Sequence, residues 1–163
     1  MLEFGAKNEE INQYCRLAPF AISVNENSDN ELSIIIAFPA PINDKPDYDN
    51  QRINEILSNT NRVGPDLNRM YEIRFERYII YQCRNESYTC WDASEIRKGE
   101  YLIIFEKSKL LDYYENVIFD FDRDCDKPNR KHYGIYTENH IIDVIANEPP
   151  VIKKLNSNLS EEC

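Results

Sequence analysis

Glycine is scarce in this chain, four among 163 residues (Gly5, Gly64, Gly99 and Gly134), and no pair of them is spaced to cradle a phosphate. The patterns GxGxxG, GxxxxGK[ST], GxSxG and HExxH are all missing, so nucleotide-loop, nucleophile-elbow and zinc-protease chemistry have no motif to stand on. The five cysteines (Cys15, Cys83, Cys90, Cys125, Cys163) are odd in number and form no CxxC pair, which points to reduced thiols rather than a disulfide framework. The two histidines, His132 and His140, are eight apart, and Cys83 and Cys90 are seven apart. Neither spacing is that of a zinc knuckle, and the expectation is buried thiols, surface or turn histidines, no metal and no cofactor.

Long apolar runs are missing too. The longest, Ile34–Phe38, is far short of the roughly 20 residues a bilayer requires. Residues 1–10 lack the basic start and apolar stretch of a secretory signal, so a soluble, cytoplasmic protein is expected. On that expectation the Asn85-Glu-Ser87 and Asn158-Leu-Ser160 sequons are chance matches. Basic charge is in deficit: 19 Lys and Arg against 29 Asp and Glu leave a net charge of −10. Such a surface repels phosphate backbones and anionic lipid heads, which disfavours nucleic acid and membrane as partners.

What is present suffices for a core, since 42% of residues are hydrophobic. One domain is expected over 1–155, with a polar tail at 156–163 and a short helix or loose arm at 1–13. Residues 19–24 and 31–38 read as a hairpin around the turn-forming 25–30 segment, the second strand central because both its faces are apolar. A proline-bearing loop from Pro39 to Asp66 carries a short helix near 50–58, and loops of this length are often binding loops or disordered. Tyr71–Arg84 alternates as a single strand, followed by a strand at 87–91 and another at 101–105. Ser108 reads as the N-cap of a helix over about 109–119, since Leu110, Leu111, Tyr114, Val117 and Ile118 recur at three- and four-residue spacing. A hairpin of 132–137 and 140–146 closes the domain around Glu138-Asn139, and Pro149-Pro150 stops its last strand. Strands first, one clear helix, then a hairpin specify an α+β fold with a mainly antiparallel sheet.

Chemistry has few places to reside. Asp120, Asp122, Asp124 and Asp126 alternate as a calcium loop begins, but an EF-hand needs Gly at position six and Glu at twelve, where this chain has Cys125 and Lys131. Cys125 with His132 is the one conceivable thiol–imidazole pair, and the surrounding aspartates would raise the thiol pKa, against reactivity. From Ser108 to Asp126 the six acids Asp112, Glu115, Asp120, Asp122, Asp124 and Asp126 face only Lys109 and Arg123, a local charge of −4. Beside them stand Tyr113 and Tyr114, of eleven tyrosines in all, a residue type favoured at interface cores. An acidic surface with tyrosines suits a basic protein partner, and those eight residues are the candidate binding surface; no catalytic residue is singled out. The competing readings are an enzyme whose site is assembled from distant residues, with His132 or His140 beside a carboxylate, and a structural subunit of a larger assembly.

The segments Tyr71–Tyr81, Arg84–Tyr88, Lys107–Tyr114 and His132–Val144 resemble small uncharacterised bacterial proteins, some of which resemble immunity partners of secreted toxins. That resemblance implies a non-enzymatic protein that neutralises a basic toxin domain, and it assigns no individual residue.

Overall fold

The computed structural model describes residues 1–12, 17–42, 49–58, 60, 62–117 and 130–155. In chain order the elements are α1 (Glu9–Asn12), β1 (Phe20–Glu26), β2 (Leu32–Ile42), α2 (Gln51–Ser58), β3 (Arg62–Phe75) and β4 (Tyr78–Asn85). Then follow β5 (Ile96–Lys98), β6 (Leu102–Lys107), α3 (Lys109–Val117), β7 (Lys131–Tyr136), β8 (His140–Ala146) and β9 (Val151–Leu155). The strands form two antiparallel sheets, β1-β2-β3-β9 and β4-β8-β7-β6-β5, an α+β architecture dominated by antiparallel strands.

The single strand expected over Tyr71–Arg84 is two strands in two different sheets, parted at Glu76-Arg77. The reason lies in Arg77, which falls where the apolar alternation of Ile73 and Phe75 would continue inward; the chain bends there instead of burying a charge. Its partner bends with it, because β8 and β9 are joined by 147–150 and also lie in different sheets. Arg74 opposite Val151 and Ile80 opposite Ile145 keep one register on both sides of this corner, which is how a strand pair passes between packed sheets. Beyond it, the strand expected at 87–91 is a 3₁₀ turn at Glu86–Tyr88, capped by Asn85 accepting from the Ser87 N–H at 2.9 Å. The short β5 and the sheet-edge β9 had no counterpart among the expected strands.

The facing sides of the sheets make one core. β2 and β3 contribute Leu32, Ile34, Ile36, Ile73 and Phe75, and β6, β7 and β8 contribute Leu102, Tyr133, Ile135, Ile142 and Val144. Each such aliphatic side chain buried from water contributes about 1.5–3 kcal/mol. The N-terminal arm is part of this core rather than loose: Leu2, Phe4 and Ile11 are buried, and the Phe4 ring meets Phe75 of one sheet and Tyr133 of the other edge-on at 6.4 and 5.2 Å. Gly99, at φ +98°, makes that docking possible, because a Cβ there would lie 2.9 Å from Gly5 Cα and 2.4 Å from the Leu102 carbonyl oxygen. In the 39–66 segment the strands extend further than expected, to Ile42 and from Arg62. The α2 helix lies where helical spacing placed it, and the Asn50 side chain accepts from the Arg52 N–H at 3.1 Å.

Candidate functional site

The outer face of the second sheet carries the site. On it β8 presents Asp143, β7 presents His132, Gly134 and Tyr136, β4 presents Gln82 and Arg84, and β6 presents Phe105, as strand alternation requires. Helix α3 begins over this face. Its N-cap is Ser108 as the sequence indicated, with the hydroxyl accepting the Leu111 N–H at 3.2 Å.

Five polar side chains are linked here. His132 Nδ1 lies 2.8 Å from Ser108 Oγ, and His132 Nε2 lies 3.1 Å from Asp143 Oδ1. The other Asp143 oxygen accepts from Gln82 Nε2 at 3.0 Å and forms an ion pair with Arg84 Nη2 at 3.2 Å. Ser108, His132 and Asp143 are 1%, 3% and 1% exposed, so every group must find its partner inside the protein. With Nε2 carrying the imidazole proton, donors and acceptors match from the Leu111 N–H through Ser108 and His132 to Asp143. The Phe105 ring stacks on the imidazole at 4.1 Å and fixes its plane. Asp143 also acts on its neighbours: burial first, then its negative charge, push the Cys83 thiol and the Tyr136 phenol above their ordinary pKa values.

Serine, imidazole and carboxylate in series are the groups of a hydrolase triad. Here the hydroxyl is buried and already serves as the helix cap, so what the series does in this arrangement is fasten the start of α3 to the sheet.

Beside the network opens a cavity of about 440 Å³ whose floor includes His132 and Asp143. One wall is the 89–95 segment, tied to α3 by the Asp92–Lys109 ion pair and by the Lys109 N–H donating to Glu95 Oε1 at 3.1 Å. The Lys109 ammonium and the Ser94 hydrogen bonds hold the Asp92 carboxyl well below the usual carboxylate range. The rim is aromatic. Trp91 is 58% exposed and Tyr113 54%, and Trp91 leans on Tyr136 with ring centroids 5.5 Å apart.

The expected surface residues divide. Asp112, Tyr113 and Glu115 are exposed on α3, and Tyr113 also lines the cavity. Tyr114 is not available to a partner: it is 4% exposed, on the helix face turned to the protein, with the Arg130 guanidinium 5.2 Å from its ring centroid. Asp120, Asp122, Asp124 and Asp126, with Cys125, lie outside the described residues. The expected buried thiols and surface or turn histidines are corrected in part: Cys83 and Cys90 are exposed on β4 and the following loop, and His132 is in the network, while His140 is exposed at the turn. Among the described residues no cluster of three or more His, Cys, Asp or Glu could hold a metal. Sequence reasoning passed over Asp143, although a lone acid inside Ile141-Ile142-Asp143-Val144-Ile145 is the signal of a buried polar group that needs a partner. Comparison with family models, curated proteins and solved structures found no match.

Proposed function

We propose that this chain is a non-enzymatic protein-binding module of the immunity type, acting in the cytoplasm to neutralise a basic toxin domain. The supporting observation is the pair of exposed aromatics, Trp91 and Tyr113, on the lip of one cavity, beside Asp112 and Glu115 on the outer side of α3. Exposed Trp and Tyr are the side chains that most often anchor protein interfaces, and surrounding carboxylates speed the approach of a cationic partner. In this reading the buried network supplies rigidity, holding α3 and its outward residues in a fixed position for a partner to meet.

The test is co-expression with the product of the neighbouring reading frame, followed by co-purification. A partner of basic surface should be retained by the unaltered chain, and Trp91→Ala with Tyr113→Ala should weaken retention by about 100-fold. Retention that is indifferent to both changes would remove this surface from consideration.

One observation favours a second reading, an enzyme: the cavity reaches His132 beside Asp143. Turnover of an activated ester that disappears in His132→Gln, while the fold persists by circular dichroism, would replace the first reading with this one.

A further inference from the structure

Three carboxylates, Asp92, Glu95 and Asp143, and two cations, Arg84 and Lys109, line the cavity beside α3, in a chain whose net charge is −10. Gln82 and Arg84 are directed at Asp143, and Lys109 at Asp92. Thr89, in the cavity wall, has a buried Oγ1 with no hydrogen-bond partner among the described residues, at a cost of about 1–3 kcal/mol while it stays unmet. Its hydroxyl can accept as well as donate. A ligand that brings positive charge and N–H donors suits this lining.

The aromatic wall narrows the choice of cation. The Arg97 guanidinium of this same chain lies over the Trp91 ring, 4.0 Å from its centroid. Trp91 thus already takes a guanidinium on its ring, and Tyr113 and Tyr136 extend the aromatic lining around the space. A planar guanidinium stacks on such rings while its N–H groups point outward in the ring plane, where Thr89 and Asp92 offer oxygens. A lysine ammonium gains the charge term but neither the stacking nor the forked donors.

We infer that the cavity lined by Thr89, Trp91, Asp92 and Tyr113 is a receptor for an arginine side chain of a protein partner. This rests on the protein-binding reading above and adds to it the residue type that is recognised.

Trp91 is the only tryptophan of the chain, so its fluorescence reports directly on the cavity. Titration with hexa-arginine and with hexa-lysine at about 0.15 M salt separates general attraction from recognition, because screening acts on both peptides alike. Hexa-arginine should bind about tenfold more tightly than hexa-lysine. Thr89→Val, which removes the acceptor and keeps the shape, and Tyr113→Ala should each bring hexa-arginine toward the hexa-lysine value, with far-UV circular dichroism unchanged. Equal affinities for the two peptides, or a preference untouched by both variants, would overturn the inference. Retention of a basic protein through Trp91 and Tyr113 without arginine preference in the peptides sinks the cavity's specificity alone. Arginine preference without any retained protein upholds the cavity and sinks the protein-binding reading.

Discussion

His132 and Asp143 meet diagonally across β7 and β8, Nε2 to Oδ1 at 3.1 Å, although the residue directly opposite Asp143 is Gly134. Gly134 leaves that space open to rings: a Cβ there would lie 3.0 Å from both Phe105 Cε2 and Tyr136 Cε1. Gly134→Ala should therefore overpack the face and cost about 1–2 kcal/mol, read from the urea midpoint. Asp143→Ala should cost about 3 kcal/mol, because it strands His132 in a dry site and takes the acceptor from Gln82. Asp143→Asn, which keeps an oxygen for one of those donors, should cost less. Equal losses for the two aspartate variants would mean that volume, not hydrogen bonding, holds this site together.

Ser108 serves two neighbours with one hydroxyl, capping α3 and meeting His132 at 2.8 Å. Ser108→Ala should lose about 1–2 kcal/mol, and Ser108→Thr, which keeps the oxygen, a smaller amount. Hydrogen exchange should locate the Ser108→Ala effect at the first-turn amides of α3, Leu111 above all. Uniform loosening of both sheets would contradict a local cap.

At the corner between the sheets, the Tyr78 hydroxyl donates to the Glu26 carboxylate of β1, and this hydrogen bond pushes the phenol from the ordinary value near 10 to about 12. A phenol whose pKa is raised by folding stabilises the fold in its neutral form. That contribution is complete below about pH 10 and is lost as the pH rises through about 12. Phenolate absorbance should show a late component near pH 12 that is absent from Tyr78→Phe and moves back toward 10 in Glu26→Gln. A titration curve unaltered by Glu26→Gln would show that the bond does not set the shift.

Gly99 should be the least replaceable glycine. Alanine there meets the Leu102 carbonyl and the Gly5 backbone at a positive φ, so Gly99→Ala should cost about 2–3 kcal/mol. The N-terminal arm should become the first site of limited proteolysis in that variant. Proteolysis that begins elsewhere would dissociate this turn from arm docking.

Cys83 is exposed on β4, and partial burial first, then the Asp143 charge, raise its thiol pKa. Less thiolate at a given pH means slower alkylation, so iodoacetamide at pH 8 should modify Cys83 more slowly in the unaltered chain than in Asp143→Asn. Equal rates in the two would indicate that the carboxylate does not reach the sulfur.

The parts of the fold legible in the sequence are those that local chemistry decides. The apolar runs of β1 and β2, the alternation in β7 and β8, the spacing of Leu110, Leu111 and Tyr114 in α3, and the cap Ser108 each act within a few residues. β5 was missed because Ile96-Arg97-Lys98 is too short to show a periodicity, and pairing with β6 alone makes it a strand. Within the site, Tyr113 and the acids of α3 were legible as an exposed helix face. Trp91 was not, because its prominence depends on a loop folded back against α3 through Asp92 and Lys109.

By itself, then, the sequence determined charge, the antiparallel α+β class and the capped helix, since each follows from residue type and spacing. Only the tertiary structure decided that Tyr71–Arg84 divides between two sheets, that Tyr114 turns inward, and that Ser108, His132, Asp143, Gln82 and Arg84 converge. Ser108 and Asp143 are 35 positions apart in the chain. Nothing local relates them; strand register and the helix laid across it bring them within one hydrogen-bonded series, and burial then requires each to be met.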